Sequence, residues 1–278
     1  DNKDLKRPES DFHGFYELKI IKAYMRAIVF DIDYLFEVLP KVVTIWLDYI
    51  KKTEEIIALK EYNRENLMFQ RKENYAAINK FVSAQATDIP AYYWYTVLSQ
   101  LISRIVHGHN DTEQVILSII CNCTRAYPEV VLYSLYAQIQ SVNSERVSRA
   151  EKICSTLQRD SASLLSKQVT SAFQLLEAFK GICRADLARN KRSKLHLWDD
   201  LQFSYEKKEC RALVIPLRIN FQILLPSSGE HVKRNQFPAE KRVKFLKFES
   251  RVSILASMQK PRRLFIIGTD GRRYSLLC

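Results

Sequence analysis

Apolar residues recur every three or four positions through most of the chain. Leu18, Ile21, Met25, Ile28 and Ile32 form one stripe, and after a break near Asp33 a second runs through Leu35, Val38, Val42, Trp46 and Tyr49. This is the spacing of amphipathic helices, and Pro40 stands early enough in the second to be tolerated near a helix start. The pattern continues helically from Asn74 to Val82. Asp88 then reads as an N-cap with Pro90 in the first turn, opening a run through Trp94, Leu98, Leu101 and Ile105 that stops at His107-Gly108. Asn110-Asp111-Thr112 opens a helix with Val115, Ile119 and Cys123 on one face. Tyr127-Pro128 restarts the chain into Val131, Leu135 and Ile139, and Asn143-Ser144 caps a helix carrying Val147, Ile153 and Leu157. A longer helix follows with Leu165, Val169, Phe173, Leu176, Phe179 and Cys183 in its stripe.

Helices that each present one apolar stripe, joined by short turns, predict a mainly α fold built as an antiparallel helical-hairpin solenoid, because no single hairpin buries its stripe alone. Almost no strand is expected between residues 14 and 188. After Arg189 the character changes. Asn190 to Lys194 reads as a basic hinge, Leu195 to Glu209 as one short helix, and Leu213–Leu217 and Phe221–Leu225 as extended connector segments punctuated by Pro216 and Pro226. From about Phe245 the alternation is that of strands, forming a small antiparallel β portion. The predicted divisions are a disordered lead-in at 1–11, helical repeat at 12–190, a linker at 191–243 and the strands at 244–278.

At 278 residues, 47% apolar and 27% charged, the chain has the composition of an ordinary globular protein. No apolar run approaches the ~18 residues of a membrane span, so no membrane partner is expected. The chain begins at Asp1 rather than Met and ends inside an apparent strand, which reads as an internal segment. Six cysteines at no framework spacing point to reduced thiols in a cytosolic or nuclear setting. The net charge of +12 raises a nucleic-acid reading. Twelve of the Lys and Arg, against four acids, fall between Glu230 and Arg273. A nucleic-acid module would interleave aromatic platforms with those cations, a role Phe237, Phe245 and Phe248 fill in part. Their spacing is close to strand periodicity, and no direct sequence-specific nucleic-acid binding is expected.

Two other constellations carry less. His107 and His109 followed by Cys121 and Cys123 could suggest zinc, but residues two apart on a helix point about 200° apart and cannot share one ion. Core thiols and a polar turn explain them. Asp31/Asp33 and Asp199/Asp200 have no Ser, His or metal partner nearby in sequence and read as solvated helix ends.

The C-terminal segment is the most specific part of the sequence. Ser250-Arg-Val-Ser-Ile254-Leu-Ala-Ser-Met-Gln-Lys260-Pro-Arg-Arg263 describes a strand, a short polar loop and a second strand. The turn Gly268-Thr-Asp-Gly271 then leads into a third strand ending at Cys278. This corner resembles the phosphate loop of the phosphatidylinositol-3-kinase-related protein kinases, in wording most like the ATR type. Val38 to Tyr49, Pro90 to Ile105 with His107 and His109, Tyr127-Pro128, and Arg146 to Ile153 resemble helices of that family's FAT domain. The matches cover roughly residues 35–157, 213–217 and 250–278.

The resemblance implies a FAT-type helical collar followed by the first strands of a kinase small lobe. It implies a nuclear serine/threonine kinase of the DNA-damage and replication checkpoint, using ATP and Mg, with Gln after the phosphoacceptor of its protein substrates. Its partners would be the rest of the kinase domain in the same chain and checkpoint adaptor and activator proteins. Carried over residue by residue, Ile254, Leu255, Ala256, Ser257, Met258, Gln259 and Lys260 form the nucleotide loop, with Ser257 as its phosphate-facing hydroxyl. A plain β-hairpin connector is the alternative for the same residues. Arg262 and Arg263 are expected to begin the next strand with alternate side chains in solvent.

The catalytic-loop Asp and Asn and the magnesium-binding Asp-Phe-Gly are absent from this sequence. The segment by itself is therefore expected neither to bind ATP tightly nor to catalyse transfer, and its sheet to show an uncovered apolar face at Leu264, Ile266, Tyr274 and Leu276. The competing readings are a freestanding helical-repeat adaptor for protein partners and a basic nucleic-acid-binding module.

Overall fold

In the computed structural model the described residues are 14–59, 64–159, 163–186, 193–203, 205, 209–223, 225 and 242–278. The expected lead-in at 1–11, the hinge residues 190–192 and all of 226–241 lie outside them. The chain divides into two compact units, Asp1–Cys123 with Ile223–Gln236 and Thr124–Gln222 with Phe237–Cys278.

The first unit is helical. It contains α1 (Phe15–Phe30), a short 3₁₀ turn (Ile32–Tyr34), α2 (Leu35–Leu47), α3 (Tyr49–Leu59), α4 (Arg64–Asp88), α5 (Ala91–Thr96), α6 (Leu98–Ser103) and most of α7 (Asn110–Ala126). The α2 stripe is buried throughout, with Leu35, Val42 and Trp46 fully enclosed, and the helix packs on α1, α5 and α6. Asp31 caps the 3₁₀ turn by accepting from Asp33 N at 3.0 Å, the helix-end role expected of that carboxylate pair. A buried polar knot joins α2, α4 and α7. Trp46 Nε1 donates to Asn79 Oδ1 (2.7 Å), which also accepts from Thr112 Oγ1 (2.9 Å), and Tyr75 OH bonds Thr112 Oγ1 in turn. Arg71 is enclosed as well; its guanidinium lies 4.4 Å from the Tyr49 ring centre and its Nε donates to Thr53 Oγ1 at 2.7 Å.

Two helix boundaries differ from expectation. Asp88 is the last residue of α4 rather than a cap, and Pro90 sits at the N-cap of α5. The run from Trp94 to Ile105 is broken at Val97, whose φ of −111° departs from helical geometry and separates α5 from α6. Trp94, Leu98, Leu101 and Ile105 are nonetheless all buried.

The second unit holds α8 (Pro128–Ile139), α9 (Ser144–Leu157) and α10 (Leu164–Arg184), with α8 packed on both others. Asn143 and Ser163 cap α9 and α10 by accepting from the backbone N–H three residues on. The core line of α10 is Val169, Ala172, Leu175 and Ile182, which shares Val169 with the predicted stripe and then runs one position before it. Two neighbours cause the offset: Phe173 leans on Tyr136 of α8 (5.6 Å), while Phe179 turns to Phe245 (5.7 Å) and Phe248 (5.8 Å). A helix packed on two sides has no single stripe.

The predicted helix over Leu195–Glu209 is absent among the described residues. Lys194–His196 is instead a strand, β1, paired antiparallel with β3 (Arg251–Ile254). Asp200 accepts from His196 N at 2.7 Å and Asp199 Oδ2 lies 2.7 Å from His196 Nδ1, so this second carboxylate pair closes the turn after β1. The connector is less extended than expected, since Arg218–Phe221 forms a one-turn helix, α11. Its Asn220 is enclosed, donating to Ile215 O (2.7 Å) and Val243 O (3.0 Å) and accepting from Val243 N (3.0 Å).

β2 (Phe245–Phe248) and β3 follow one another along one edge of β4 (Arg262–Gly268), and β5 (Arg273–Leu277) takes the other. The face expected to be bare is covered. Leu264 and Ile266 are fully buried with Phe245 and Val252, and Tyr274 and Leu276 are half-buried. An aromatic cluster including Phe179, Phe203, Phe245 and Phe248 packs there, with Phe203 to Phe248 at 5.0 Å. Of the three aromatics counted as a nucleic-acid platform, Phe245 is thus a core residue and Phe248 is half-buried in the cluster, while Phe237 lies outside the described residues.

Candidate functional site

The site lies in the second unit, between β3 and β4. Ile254 ends β3 and donates its N–H to Ser193 O (2.9 Å), while Leu255 N donates to Pro261 O (3.0 Å) and closes the base of the loop. Lys260 N donates to Ser257 O (3.0 Å), which makes Ser257–Lys260 a tight turn. Lys260 reaches that turn in the left-handed region, at φ +43°, a conformation costing a residue with a Cβ about 1 kcal/mol or more. Ile254 and Leu255 are half-buried, Ala256 to Lys260 are exposed, and Met258 is 96% exposed.

The N–H groups of Ala256, Ser257, Met258 and Gln259 make no hydrogen bond among the described residues. Four unused donors on a short exposed turn are what an anion needs from a backbone. The seven residues singled out by sequence therefore fall on one strand end and one loop.

Arg262 and Arg263 alternate as expected. Arg263 is exposed beside the Phe265 ring, 5.4 Å from its centre, whereas Arg262 is buried and donates from Nη2 to Ala185 O at 2.7 Å. Ala185 is the C-cap of α10, where carbonyls lack helical partners and the helix end carries partial negative charge. Arg262 thus anchors the strand to that helix end.

Sequence reasoning missed the open face of β4 and β5. Arg263, Phe265 and Ile267 lie opposite Leu277, Ser275 and Arg273. The Arg273 guanidinium lies 3.8 Å from the Phe265 ring centre and reaches Glu249 with two hydrogen bonds, 2.7 and 2.9 Å. Those bonds hold the Glu249 carboxyl below its usual range. The alternation Arg263-Phe265-Ile267 was a readable signal for this face, but its partners on β5 were set by a register only the fold provides.

The turn joining β4 to β5 fixes that register. Gly271 has φ +77°, which favours glycine. Asp270 accepts from Arg272 N (3.1 Å) and from Tyr274 OH (2.6 Å), and the tyrosine bond holds its carboxyl below the ordinary value. A Cβ on Gly268 would stand 2.5 Å from Val243 Cγ1, 2.6 Å from Asp270 Oδ1 and 2.8 Å from Tyr274 Cε2. Gly268→Ala is therefore expected to cost about 1–3 kcal/mol through overpacking, read as a lowered midpoint in denaturant unfolding. An unchanged midpoint would mean the turn can yield without loss.

Comparisons with known proteins bear on the fold and family of the chain. Residues 77–176 match the family described as serine/threonine-protein kinase ATR-like, HEAT repeats. The chain is 31% identical over 283 residues to protein kinase rad3 of Schizosaccharomyces pombe, covering 98% of this chain and 12% of that protein. It is 30% identical over 275 residues to serine/threonine-protein kinase MEC1 of Candida albicans, covering 98% of this chain and 11% of that one. With ATR of Drosophila melanogaster the identity is 24%, over 94% of this chain and 10% of that protein. The chain thus spans about an eighth or less of the length of these relatives. Its fold is similar to the FAT and kinase domain of CtTel1, with a TM-score of 0.59 at 17% identity, over 99% of this chain and 20% of that one. Helical repeats, a small antiparallel sheet and these relatives together place the chain in the ATR-like branch of the PI3K-related serine/threonine protein kinases, to which it belongs.

Proposed function

We propose that the chain supplies the FAT-type collar, spanning about residues 12–190, and the phosphate-binding corner of an ATP-dependent kinase acting on protein Ser and Thr hydroxyls. Its setting is the nucleus, in the response to DNA damage and stalled replication. The observation that carries this reading is the exposed Ala256–Lys260 turn, whose unused amides sit between two paired strands. Ile254 and Leu255 frame the entrance, Ala256, Ser257, Met258 and Gln259 present N–H donors, and Lys260 adds a cation beside them. These groups fit the phosphates of ATP. Bound Mg would neutralise charge developing on those phosphates, while this chain's own residues bind and orient them.

The partners in this reading are the rest of the kinase domain in the same chain, protein substrates with Gln after the phosphoacceptor, and checkpoint adaptors and activators.

Ser257→Asp in the full-length kinase tests the loop. It would set a carboxylate against phosphate oxygens, and like charges about 4 Å apart near a protein surface repel by a few kcal/mol. The Michaelis constant for ATP is expected to rise tenfold or more, about 1.4 kcal/mol per decade, with Ser257→Ala affected far less. An unchanged constant in Ser257→Asp would show that the loop does not close over the nucleotide.

A further inference from the structure

Two cysteines that the proposed kinase function leaves unused meet in the second unit. Cys183 lies in the last turn of α10 and is exposed; Cys278 follows β5 and is half-buried. Cys278 and Arg262 exchange both backbone hydrogen bonds, each 2.8 Å. Facing residues of that kind have Cα atoms about 5.5 Å apart and side chains on the same face of the sheet. The Arg262 side chain runs from that face to Ala185 O at 2.7 Å, two residues beyond Cys183. Cys278 therefore faces the end of α10. The Cys183 side chain is close enough to hydrogen-bond the Cys278 thiol, and both sulfurs are free.

We propose that Cys183 and Cys278 form a modification site, a thiol pair that hydrogen peroxide oxidises to a disulfide fastening the end of α10 to β5. The order of events follows from exposure. Burial, and after it the Cys183 side chain, pushes the Cys278 thiol up to about 12, so that it keeps its proton. Cys183 stands in solvent, where a peroxide reaches it first.

The Cys183 thiolate attacks one peroxide oxygen. The O–O bond breaks, the departing hydroxide takes up a proton to leave as water, and Cys183 becomes a sulfenic acid. The Cys278 sulfur then attacks the Cys183 sulfur, forming the S–S bond and breaking S–O. The second hydroxide takes the Cys278 proton and leaves as water. Two thiols lose two electrons in all, and one peroxide is reduced to two waters. In a compartment poised by glutathione such a bond is transient and reversible.

The test uses full-length protein, treated with hydrogen peroxide, blocked with N-ethylmaleimide and digested without reductant for mass spectrometry. The wild type is expected to yield a Cys183–Cys278 linked peptide that dithiothreitol splits. Cys278→Ser should instead accumulate a dimedone-reactive sulfenic acid on Cys183. Cys183→Ser should leave Cys278 reduced, and its exposed position keeps that variant folded, which far-UV circular dichroism verifies. Sulfinic acid on Cys183 beside a free Cys278 in the wild type would overturn the proposal. So would linked peptides joining either residue to a third cysteine. The outcome does not depend on whether the Ala256–Lys260 turn binds phosphate.

Discussion

Replacing Glu129 with Ala is expected to cost about 3–5 kcal/mol of stability, the range for removing one partner of a buried ion pair. Glu129 Oε1 lies 2.8 Å from Arg242 Nη1 and 3.9 Å from Lys244 Nζ. Glu129 and Arg242 are both nearly enclosed, at 6% and 8% exposure. The pair sits where the connector passes α8. Val214 N donates to Glu129 O, Tyr133 OH donates to Val214 O at 2.6 Å, and Val214 forms a β-bridge with Lys244. Without the carboxylate, two cations converge on a site that water reaches poorly. Glu129→Gln keeps the shape but not the charge and should fall between the wild type and Ala. The deciding measurement is a cycle in denaturant. Glu129→Leu with Arg242→Leu should recover much of what either change alone loses, because a matched apolar pair leaves no stranded charge. A loss below about 1 kcal/mol for Glu129→Ala would show that solvent or another group compensates Arg242.

How much of this the sequence carried follows from how local each cause is. The α2 stripe was legible because Leu35, Val38, Val42 and Trp46 all turn to one side of a single helix; the fifth predicted member, Tyr49, opens α3 instead, and all five are buried. The cap at Asn143 and the Gly268–Gly271 turn are equally local devices.

The strand β1 was not legible. Three residues show no period, and their partner Val252 lies far along the chain, so only tertiary pairing turns a presumed helix into an edge strand. The same distance hid the aromatic cluster on this face, in which Phe179 of α10 and Phe203 of the connector meet Phe248, the residue opposite Ile266. The break at Val97 has no Gly or Pro to announce it.

For the candidate site, the loop residues were readable from one short string. The free amides, the left-handed Lys260 and the opposition of Arg263 to Leu277 were not, because they depend on how the strands pair.

Trp46→Ala carries the other large expected effect, about 3–5 kcal/mol. Trp46 is fully enclosed, on a helix whose Val42, Val43 and Leu47 are buried as well. Its loss removes the largest side chain of that helix and leaves a cavity that packed neighbours fill only in part. It also removes the indole donor to Asn79 Oδ1. The two contributions can be separated. Trp46→Phe keeps much of the volume but no donor, and Asn79 Oδ1 still accepts from Thr112 Oγ1 at 2.9 Å. That acceptor is therefore not stranded, and Phe should cost only about 1–2 kcal/mol. Asn79→Ala removes the acceptor of both the indole N–H and the Thr112 hydroxyl, of which only the hydroxyl keeps another partner, Tyr75 OH, and should cost more than Trp46→Phe. Denaturant unfolding followed by far-UV circular dichroism reads all three. If Trp46→Phe proves as damaging as Trp46→Ala, the hydrogen bond rather than the volume holds α2 to α4. If Trp46→Ala costs less than about 1 kcal/mol, the residue is not part of a packed core, and the reading of these helices as a rigid collar fails with it.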